Sequence, residues 1–262
     1  MLSIFLSICI IGGVILNNSF NLLYQKYKSI ENCGWIKSKR LGTSGIGYTF
    51  ECLIGKSEEN FPIPDFKGIE IKTSRHNSWG KIHLFHATPD GDYLFPIKEV
   101  LDKLGYPDKD FPEYKVFNFS VNAKKYTNIG YSKKAKILVD NQKEKIYLVA
   151  KNKLNQDLNL KISWSFKMLE ERINLKLKYL AIVKAKSKKE GKTEYFKYDR
   201  IYFYQLKDFN TLIKLIECGK INITFMIGLH KSGKRFGQIH DRGTAFTIYE
   251  KDINLLYDKY IL

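Results

Sequence analysis

The segment from Pro64 to Lys72 (PDFKGIEIK) is the part of the sequence that most constrains the fold. The residues after Gly68 alternate apolar and charged side chains, which predicts a β-strand with Glu70 and Lys72 on one face. Asp65 is out of phase with that face, so the chain has to bend before the strand begins. Gly68 can adopt such a bend because it has no Cβ. The segment therefore predicts a hairpin that brings two carboxylates and one ammonium group together.

This group of side chains is suited to phosphate chemistry. Carboxylate oxygens suit Mg²⁺, which keeps several water ligands and also binds phosphate oxygens. Glu51, fourteen residues before Asp65 on a predicted short helix, could add a third acid. Lys72 could orient a water molecule beside the ion and balance the charge that builds up on phosphorus.

Two other segments match the same pattern less well. Glu113–Lys115 lies in a proline-bounded segment, and Glu190–Lys192 lies in a turn rich in lysine and glycine. A solvent-exposed strand with alternating charges would also give this pattern. The first match differs because Ile69 and Ile71 allow the opposite face of its strand to be buried.

The charge of the chain indicates what kind of partner it binds. Lys and Arg number 44 against 27 Asp and Glu, a formal net charge of +17 over 262 residues. Such a charge favours a polyanion, either nucleic acid or an acidic membrane surface. A ribosomal or basic secreted protein is the alternative. The four cysteines form no CxxC pair, which argues against a zinc ribbon or a disulfide framework and favours a reducing compartment.

The remaining pattern interleaves helices with strands, which is typical of an α/β or mixed α+β fold with a mixed sheet. Helices are predicted at residues 21–31, 48–55, 96–104 and 165–176, and from an N-cap at Asp208 to a stop at Gly219. Strands are predicted at residues 68–74, 81–87, 114–121, 135–139, 145–149, 179–185, 221–229 and 244–249, with the three between 114 and 149 in one meander. His86 follows this pattern onto the face of Leu84, so we expect it to be packed.

Two basic segments are candidates for contact with nucleic acid. Lys39 and Arg40 lie in a glycine-rich loop over residues 37–47, where they could clamp phosphates or simply improve solubility. The second segment is a predicted hairpin tip between two strands, with six candidate side chains: Lys231, Lys234, Arg235, His240, Asp241 and Arg242. A β-ribbon fits the major groove, where Arg or Lys pairs with guanine and Asp accepts from cytosine, so this set favours G·C-rich targets. A mobile loop that contacts only phosphates is the alternative.

Residues 1–16 (MLSIFLSICIIGGVIL) are almost wholly apolar. The stretch is shorter than the ~20 residues of a spanning helix. It lacks the basic start and the cleavage site of a signal peptide. A weak membrane anchor, a helix packed on the body and translated upstream sequence are all open interpretations. We expect residues 1–20 to be an extension outside the working fold.

Three blocks carry a resemblance to a known family. Residues Gly34–Lys72 (GWIKSKRLGTSGIGYTFECLIGKSEENFPIPDFKGIEIK), Tyr179–Lys188 and Ile227–Phe246 (IGLHKSGKRFGQIHDRGTAF) resemble the MvaI/BcnI-type restriction endonucleases, relatives of the MutH branch of the PD-(D/E)xK nuclease superfamily. The resemblance runs from about Asn21 to the C-terminus and is loosest over residues 90–157. It implies a restriction-endonuclease-like PD-(D/E)xK core with a mixed central sheet in residues 21–262. It also implies two lobes, a catalytic lobe around residues 34–90 and a recognition lobe that includes residues 221–249.

The resemblance also implies roles for individual residues. It places Asp65, Glu70 and Lys72 at catalytic positions and Glu51 at an additional active-site glutamate. The main-chain carbonyl of Ile71 would be a further metal ligand beside the carboxylates. The implied activity is that of a Mg²⁺-dependent type II restriction endonuclease, a monomer that cuts double-stranded DNA at a short CC-N-GG-like site, one strand per event. A cognate DNA methyltransferase would be its partner in the host.

Three alternatives follow from the same features. A MutH-like enzyme would nick one strand in response to methylation and a partner protein. A catalytically inactive relative would bind DNA without cutting it. We expect a cytoplasmic protein with no stable membrane partner, although the apolar start leaves a membrane-tethered nuclease possible.

Overall fold

Helices and strands alternate along the chain and build a mixed sheet beside antiparallel ones, which confirms the expected mixed α+β class. The computed structural model describes residues 18–56, 63–76, 80–91 and 94–261. The apolar stretch over residues 1–16 lies outside the described residues, so the expectations for it stay untested. Within the described residues, none of the helices combines the length and the apolar character needed to cross a membrane.

In the described residues the helices are α1 (18–32), α2 (Gly45–Leu53), α3 (Leu94–Lys103), α4 (Phe166–Lys176), α5 (Phe209–Glu217) and α6 (Ile253–Leu256). The first seven strands are β1 (Ile36–Lys37), β2 (Ile69–Arg75), β3 (Lys81–His86), β4 (Tyr106–Pro107), β5 (Lys115–Val121), β6 (Thr127–Ile129) and β7 (Lys133–Asp140). The other seven are β8 (Lys145–Asn152), β9 (Ser163–Ser165), β10 (Tyr179–Glu190), β11 (Thr193–Leu206), β12 (Ile221–Leu229), β13 (Ile239–Tyr249) and β14 (Tyr257–Tyr260).

The chain divides into two compact units. The first unit comprises the chain up to Gly80, Asn174–Lys207 and the end of the chain from Tyr257. The second unit comprises Lys81–Ile173 and Asp208–Leu256. The residues proposed for catalysis all lie in the first unit, and the predicted hairpin at residues 231–242 lies in the second.

The first unit is built on a mixed sheet with the strand order β1-β11-β10-β2, and β14 also pairs with β11. β2 lies at the edge of this order and runs parallel to β10, whereas the other pairs are antiparallel. Ile69 and Ile71 of β2 are buried with apolar side chains of α1, α2 and β10, namely Phe20, Leu23, Tyr27, Ile30, Ile46, Phe50, Ala181, Val183 and Ala185. As predicted, the apolar side chains that alternate along the start of β2 are buried in the core.

The second unit contains two sheets, β3-β13-β12-β5-β4 and β6-β7-β8-β9. Its core is aromatic: the Trp164 ring contacts Phe225 and Phe246, and the Trp164 indole N–H donates to the Ala87 carbonyl at 2.9 Å. The predicted meander over residues 114–149 is wrong, because β5 pairs with β12 while β7 pairs with β8. The pairing of β5 depends on a strand far along the chain, for which the local sequence carries no signal.

The largest element missing from the sequence prediction is β11. Its fourteen residues (TEYFKYDRIYFYQL) interleave charged and aromatic side chains, so no clean apolar run marks it. β10 is also longer than predicted, because it continues through exposed lysines to Glu190 and turns back at Gly191 into β11. The two strands form a long basic hairpin.

The prediction that His86 is packed is wrong. The β3–β13 register shifts between Phe246 and Thr247, so Leu84 and Phe85 are both buried and the alternation breaks. His86 is left exposed as a result.

Candidate active site

A two-residue turn at Lys67 and Gly68 creates the predicted bend. The backbone N–H and C=O groups of Phe66 and Ile69 exchange hydrogen bonds at 2.9 and 2.8 Å. Both central residues have positive φ, 43° and 86°, as a type I′ hairpin turn requires. Glycine tolerates this conformation without strain, which is why a glycine stands at the second position.

The turn folds Asp65 back against the edge of β2. Its Oδ2 accepts a hydrogen bond from the backbone N–H of Ile71 at 2.8 Å. Its Oδ1 accepts from the Lys56 ammonium group, which lies just after the end of α2. The Asp65 carboxylate therefore lies beside the backbone segment that carries Glu70 and Lys72.

Glu70 is the most deeply buried carboxylate of the site, with 1% of the residue exposed. Its Oε1 accepts a hydrogen bond from Lys72 Nζ at 2.6 Å, and Lys176 Nζ at the end of α4 lies 3.4 Å from the same oxygen. Its Oε2 is buried with no hydrogen-bond partner. Burial raises the pKa of Glu70, and the Lys72 charge opposes that shift. A buried carboxylate oxygen that lacks a partner is a position suited to a cation.

The predicted third acid approaches β2 from a neighbouring helix. Glu51 lies on α2, close to Thr73 of β2. A Cβ added at Gly47 would be 3.8 Å from Glu51 Oε1 and 3.2 Å from Thr73 Oγ1. Within residues 18–56, 63–76, 80–91 and 94–261, no group of three or more Asp, Glu, His or Cys side chains is placed to hold a metal ion. The roles assigned to Glu51 and to the Ile71 carbonyl stay predictions.

Sequence reasoning did not find two lysines of this site. Lys56 pairs with Asp65, and Lys176 lies beside Glu70 from a helix more than 100 residues away in sequence. Tyr257 is also close, since its pKa is raised by burial and by the Glu70 charge. The short spacing between Lys56 and Asp65 could have indicated the first contact, whereas only the fold brings Lys176 into place.

The same face of β2 continues past Lys72. Ser74 Oγ is buried without a hydrogen-bond partner. Lys184 of β10 stands opposite Ser74 in the parallel register and is 8% exposed. Polar groups therefore follow Glu70 along this face, whereas the opposite face begins with the buried Ile69 and Ile71.

The glycine-rich loop leaves its two candidate cations exposed. The Lys39 backbone N–H donates to Thr49 Oγ1 at 3.0 Å, which holds the loop on α2. The Arg40 guanidinium lies over the Tyr48 ring, 3.8 Å from its centroid. Both residues are exposed on a loop that is anchored to α2, an arrangement suited to a phosphate contact.

The predicted hairpin tip differs from the expectation in one respect. His240, Asp241 and Arg242 lie within β13 and not in the connecting loop. The strand was predicted to begin only at Thr244 because Gly243 interrupts the apolar alternation. Ladder pairing with β12 extends it to Ile239.

The connection between β12 and β13 is held by a neighbouring segment. Lys231 Nζ lies 2.8 Å from Asp108 Oδ1 and 2.7 Å from Asp110 Oδ2, so two carboxylates balance its charge. The Phe236 ring packs edge-on against Phe111. These partners make Lys231 a structural cation in this conformation and leave its predicted base contact untested.

The other cations of this connection are more accessible. Lys234 and Arg235 lie exposed in a 3₁₀ turn. The His240 ring stacks on His230 with centroids 4.3 Å apart, and burial lowers the pKa of His230. The Arg242 guanidinium lies over Gly228. A Cβ added at Gly228 would be 3.5 Å from Arg242 Nη2.

A family model and solved structures of known proteins match this chain and agree with each other. The family model described as the MvaI/BcnI restriction endonuclease family matches residues 24–257. A solved structure described as a restriction endonuclease MvaI-cognate DNA substrate complex is 31% identical, with a TM-score of 0.84, and the match covers 92% of this chain and 96% of that chain. A structure of restriction endonuclease MvaI in the absence of DNA is 30% identical over the same shares, with a TM-score of 0.59. No curated protein sequence matches this chain significantly.

Proposed function

The chain belongs to the MvaI/BcnI restriction endonuclease family and is a type II restriction endonuclease, and on that premise we propose that it hydrolyses double-stranded DNA at a short CC-N-GG-like site with Mg²⁺. The observation that carries the proposal is that Asp65, the buried Glu70 and Lys72 lie together on one hairpin. Its spacing matches the catalytic motif that the family resemblance assigns to these residues.

The residues present fit a divalent cation. Glu70 Oε2 is buried without a partner, and the Asp65 carboxylate lies against the adjacent Ile71 backbone. Ammonium groups of Lys56, Lys72 and Lys176 neutralise these carboxylates in this conformation. Asp65 and Glu70 would hold the ion, with the Ile71 carbonyl as a further ligand and Glu51 as support. When bound, the ion would lower the pKa of a coordinated water and stabilise negative charge on the phosphate oxygens.

Lys72 would orient the attacking water and stabilise the charge that develops on the phosphate. Lys72 is held by Glu70 and is partly exposed, so its ammonium group can orient the attacking water and stabilise charge on the phosphoryl oxygens. The water oxygen forms a bond to phosphorus as the bond to the 3′ oxygen breaks. The water loses its proton to solvent and the 3′ oxygen gains one, which leaves a 5′-phosphate and a 3′-hydroxyl.

Base recognition is proposed for the second unit. His240, Asp241 and Arg242 lie on β13, next to the exposed Lys234 and Arg235 of the connecting turn. A two-stranded ribbon fits the major groove, and this set of donors and acceptors suits G·C pairs. The solved relative in complex with its cognate DNA supports a double-stranded DNA partner.

A cleavage assay tests the catalytic assignment. We expect the wild-type protein to nick and then linearise an unmethylated target plasmid with Mg²⁺ and to stop when EDTA is added. Lys72→Ala should lower the single-turnover rate by at least ~100-fold, because one charge-stabilising group is removed. The matched control is Lys115→Ala, which removes the exposed lysine of the competing Glu113–Lys115 motif and should cut normally.

The outcomes separate the alternatives. Normal cutting by Lys72→Ala would refute the catalytic assignment. Cutting that needs a partner protein and a hemimethylated duplex would favour the MutH-like nickase. Binding without turnover in either Mg²⁺ or Mn²⁺ would favour an inactive relative.

The finer properties need separate measurements. Sequencing the ends of cleaved genomic DNA reports the target, and a site other than CC-N-GG would refute that part of the proposal. We also propose a monomer, checked by sedimentation with and without a target duplex. Methylation of the identified target should block cutting if a cognate methyltransferase protects the host.

A further inference from the structure

A basic cleft lies in the first unit, at the end of β2 that is farther from the turn. It measures about 520 Å³ and is lined by four cations, Arg40, Arg75, Lys189 and Lys192, with Glu194 as the only acid among its lining residues. Arg40 comes from the glycine-rich loop, and both lysines come from the exposed end of the β10–β11 hairpin. The cleft is therefore strongly positive, and three separate segments of the chain contribute to it.

Hydrogen bonds fix the base of this cleft. The Arg75 guanidinium binds Glu194 through two N–H donors, each 2.8 Å from a carboxylate oxygen. Its third contact is to the Thr43 carbonyl at 3.4 Å, and the Ser38 backbone N–H donates to the Glu194 carbonyl at 2.8 Å. The loop, β2 and β11 are thus tied together. Glu194 is occupied by Arg75, so the charges of Lys189 and Lys192 are not balanced by the lining acid.

The cleft is distinct from the catalytic group. Arg75 is five residues after Glu70, which corresponds to about 16 Å along a strand, and alternation places the two side chains on opposite faces. Each DNA strand carries a phosphate about every 3.4 Å of helix axis. Because β2 is an edge strand, a duplex that runs along this edge and is cut beside Glu70 could present a backbone phosphate some five nucleotides away to a cation at the far end of β2.

We infer that this cleft binds a backbone phosphate of the duplex that flanks the target, with Lys189 and Lys192 as its principal contacts. The inference rests on the proposed function, because it assigns a second contact to the same DNA. A volume of this size falls in the range of pockets that hold nucleotide-sized groups. A fixed loop and a fixed arginine reduce the ordering needed on binding. The contact carries no sequence information, so it serves target and non-target DNA alike.

The test is the salt dependence of duplex binding by the full chain in EDTA. Lys189→Ala with Lys192→Ala should lower the slope of log affinity against log salt by about 0.9, because one phosphate contact is lost. The loss should be equal for target and non-target duplexes. It should disappear on a short duplex that ends at the target, where the flanking phosphates are missing. The matched control is Lys26→Ala with Lys259→Ala, which removes the same charge from the first unit outside the cleft.

Two results would overturn the inference. One is a double variant whose salt slope equals that of the wild type while the wild type still binds the duplex. The other is a double variant that keeps its DNA slope but loses stabilisation by millimolar inorganic phosphate in thermal unfolding, which would identify a site for a free anion. If wild-type protein fails to bind any duplex, the proposed function itself fails, so the two failures are distinguishable.

Discussion

Single residues determine how the charge of the buried Glu70 is balanced in the proposed catalytic hairpin. Glu70 is buried, and a buried carboxylate is costly unless cations or hydrogen bonds compensate it. Lys72 and Lys176 both approach its Oε1, while Oε2 has no partner. One buried carboxylate oxygen of this site therefore lacks a hydrogen-bond partner, as is common where a ligand is to be bound.

The pairing of Lys176 with Glu70 can be measured by a double-mutant cycle. Lys176→Met should lower the free energy of unfolding in metal-free buffer by about 1 kcal/mol, less than for a fully buried pair because Lys176 is partly exposed. In a Glu70→Gln background the same change should cost almost nothing. Urea unfolding checks both values, with Lys167→Met on the same helix as the control. Equal costs in the two backgrounds would contradict the pairing.

At the scale of elements, the turn before β2 positions Asp65. Gly68 has a φ of 86° and Gly34, at the end of α1, has a φ of 68°, and neither has an atom within 4 Å of an added Cβ. Gly68→Ala and Gly34→Ala should each cost about 1–2 kcal/mol in stability because alanine resists positive φ.

Only Gly68→Ala should also reduce cleavage, because relaxing this turn displaces Asp65 from the Ile71 backbone N–H. Comparing the single-turnover rate with the unfolding midpoint for both variants separates strain from catalysis. Equal effects of the two variants on cleavage would show that the turn contributes stability alone.

A second element-scale prediction concerns the start of α5. The Asp208 carboxylate accepts from the Thr211 backbone N–H at 2.7 Å, which lowers the pKa of Asp208 below its ordinary value of 3.8. Asp208→Ala should cost about 1 kcal/mol at neutral pH, whereas Asp208→Asn should keep most of the cap.

The pH dependence of this cap has a definite sign. Because the folded pKa of Asp208 is lowered, the charged cap contributes fully above pH 3.8 and its contribution is lost as pH falls through the folded pKa. The stability difference between wild type and Asp208→Ala should therefore shrink below about pH 3.8. A difference that grows on acidification would contradict the assigned hydrogen bond.

At the scale of the whole molecule, the net charge of +17 governs the encounter with DNA. Raising NaCl from 50 to 200 mM should weaken binding to a non-target duplex by about 10³-fold or more if six or more phosphates are contacted. A fluorescence titration in EDTA over this range checks the slope. Affinity that hardly changes with salt would mean that contacts other than charge dominate binding.

Short stretches of the sequence are enough to predict the local features of this protein. Three such features are the alternation around Ile69 and Ile71, the glycine at the bend and the caps of α5. Each depends on neighbours a few residues apart, so the local sequence is enough to predict it. The strand that carries Glu70 and Lys72 could be predicted on that basis, and the same stretch carries part of the family resemblance. Tertiary structure alone decided which distant segments meet: Lys176 beside Glu70, β5 beside β12, and the lysines of the β10–β11 hairpin beside Arg75. These contacts depend on burial and on strand pairing across long loops, and no short stretch of sequence carries that information.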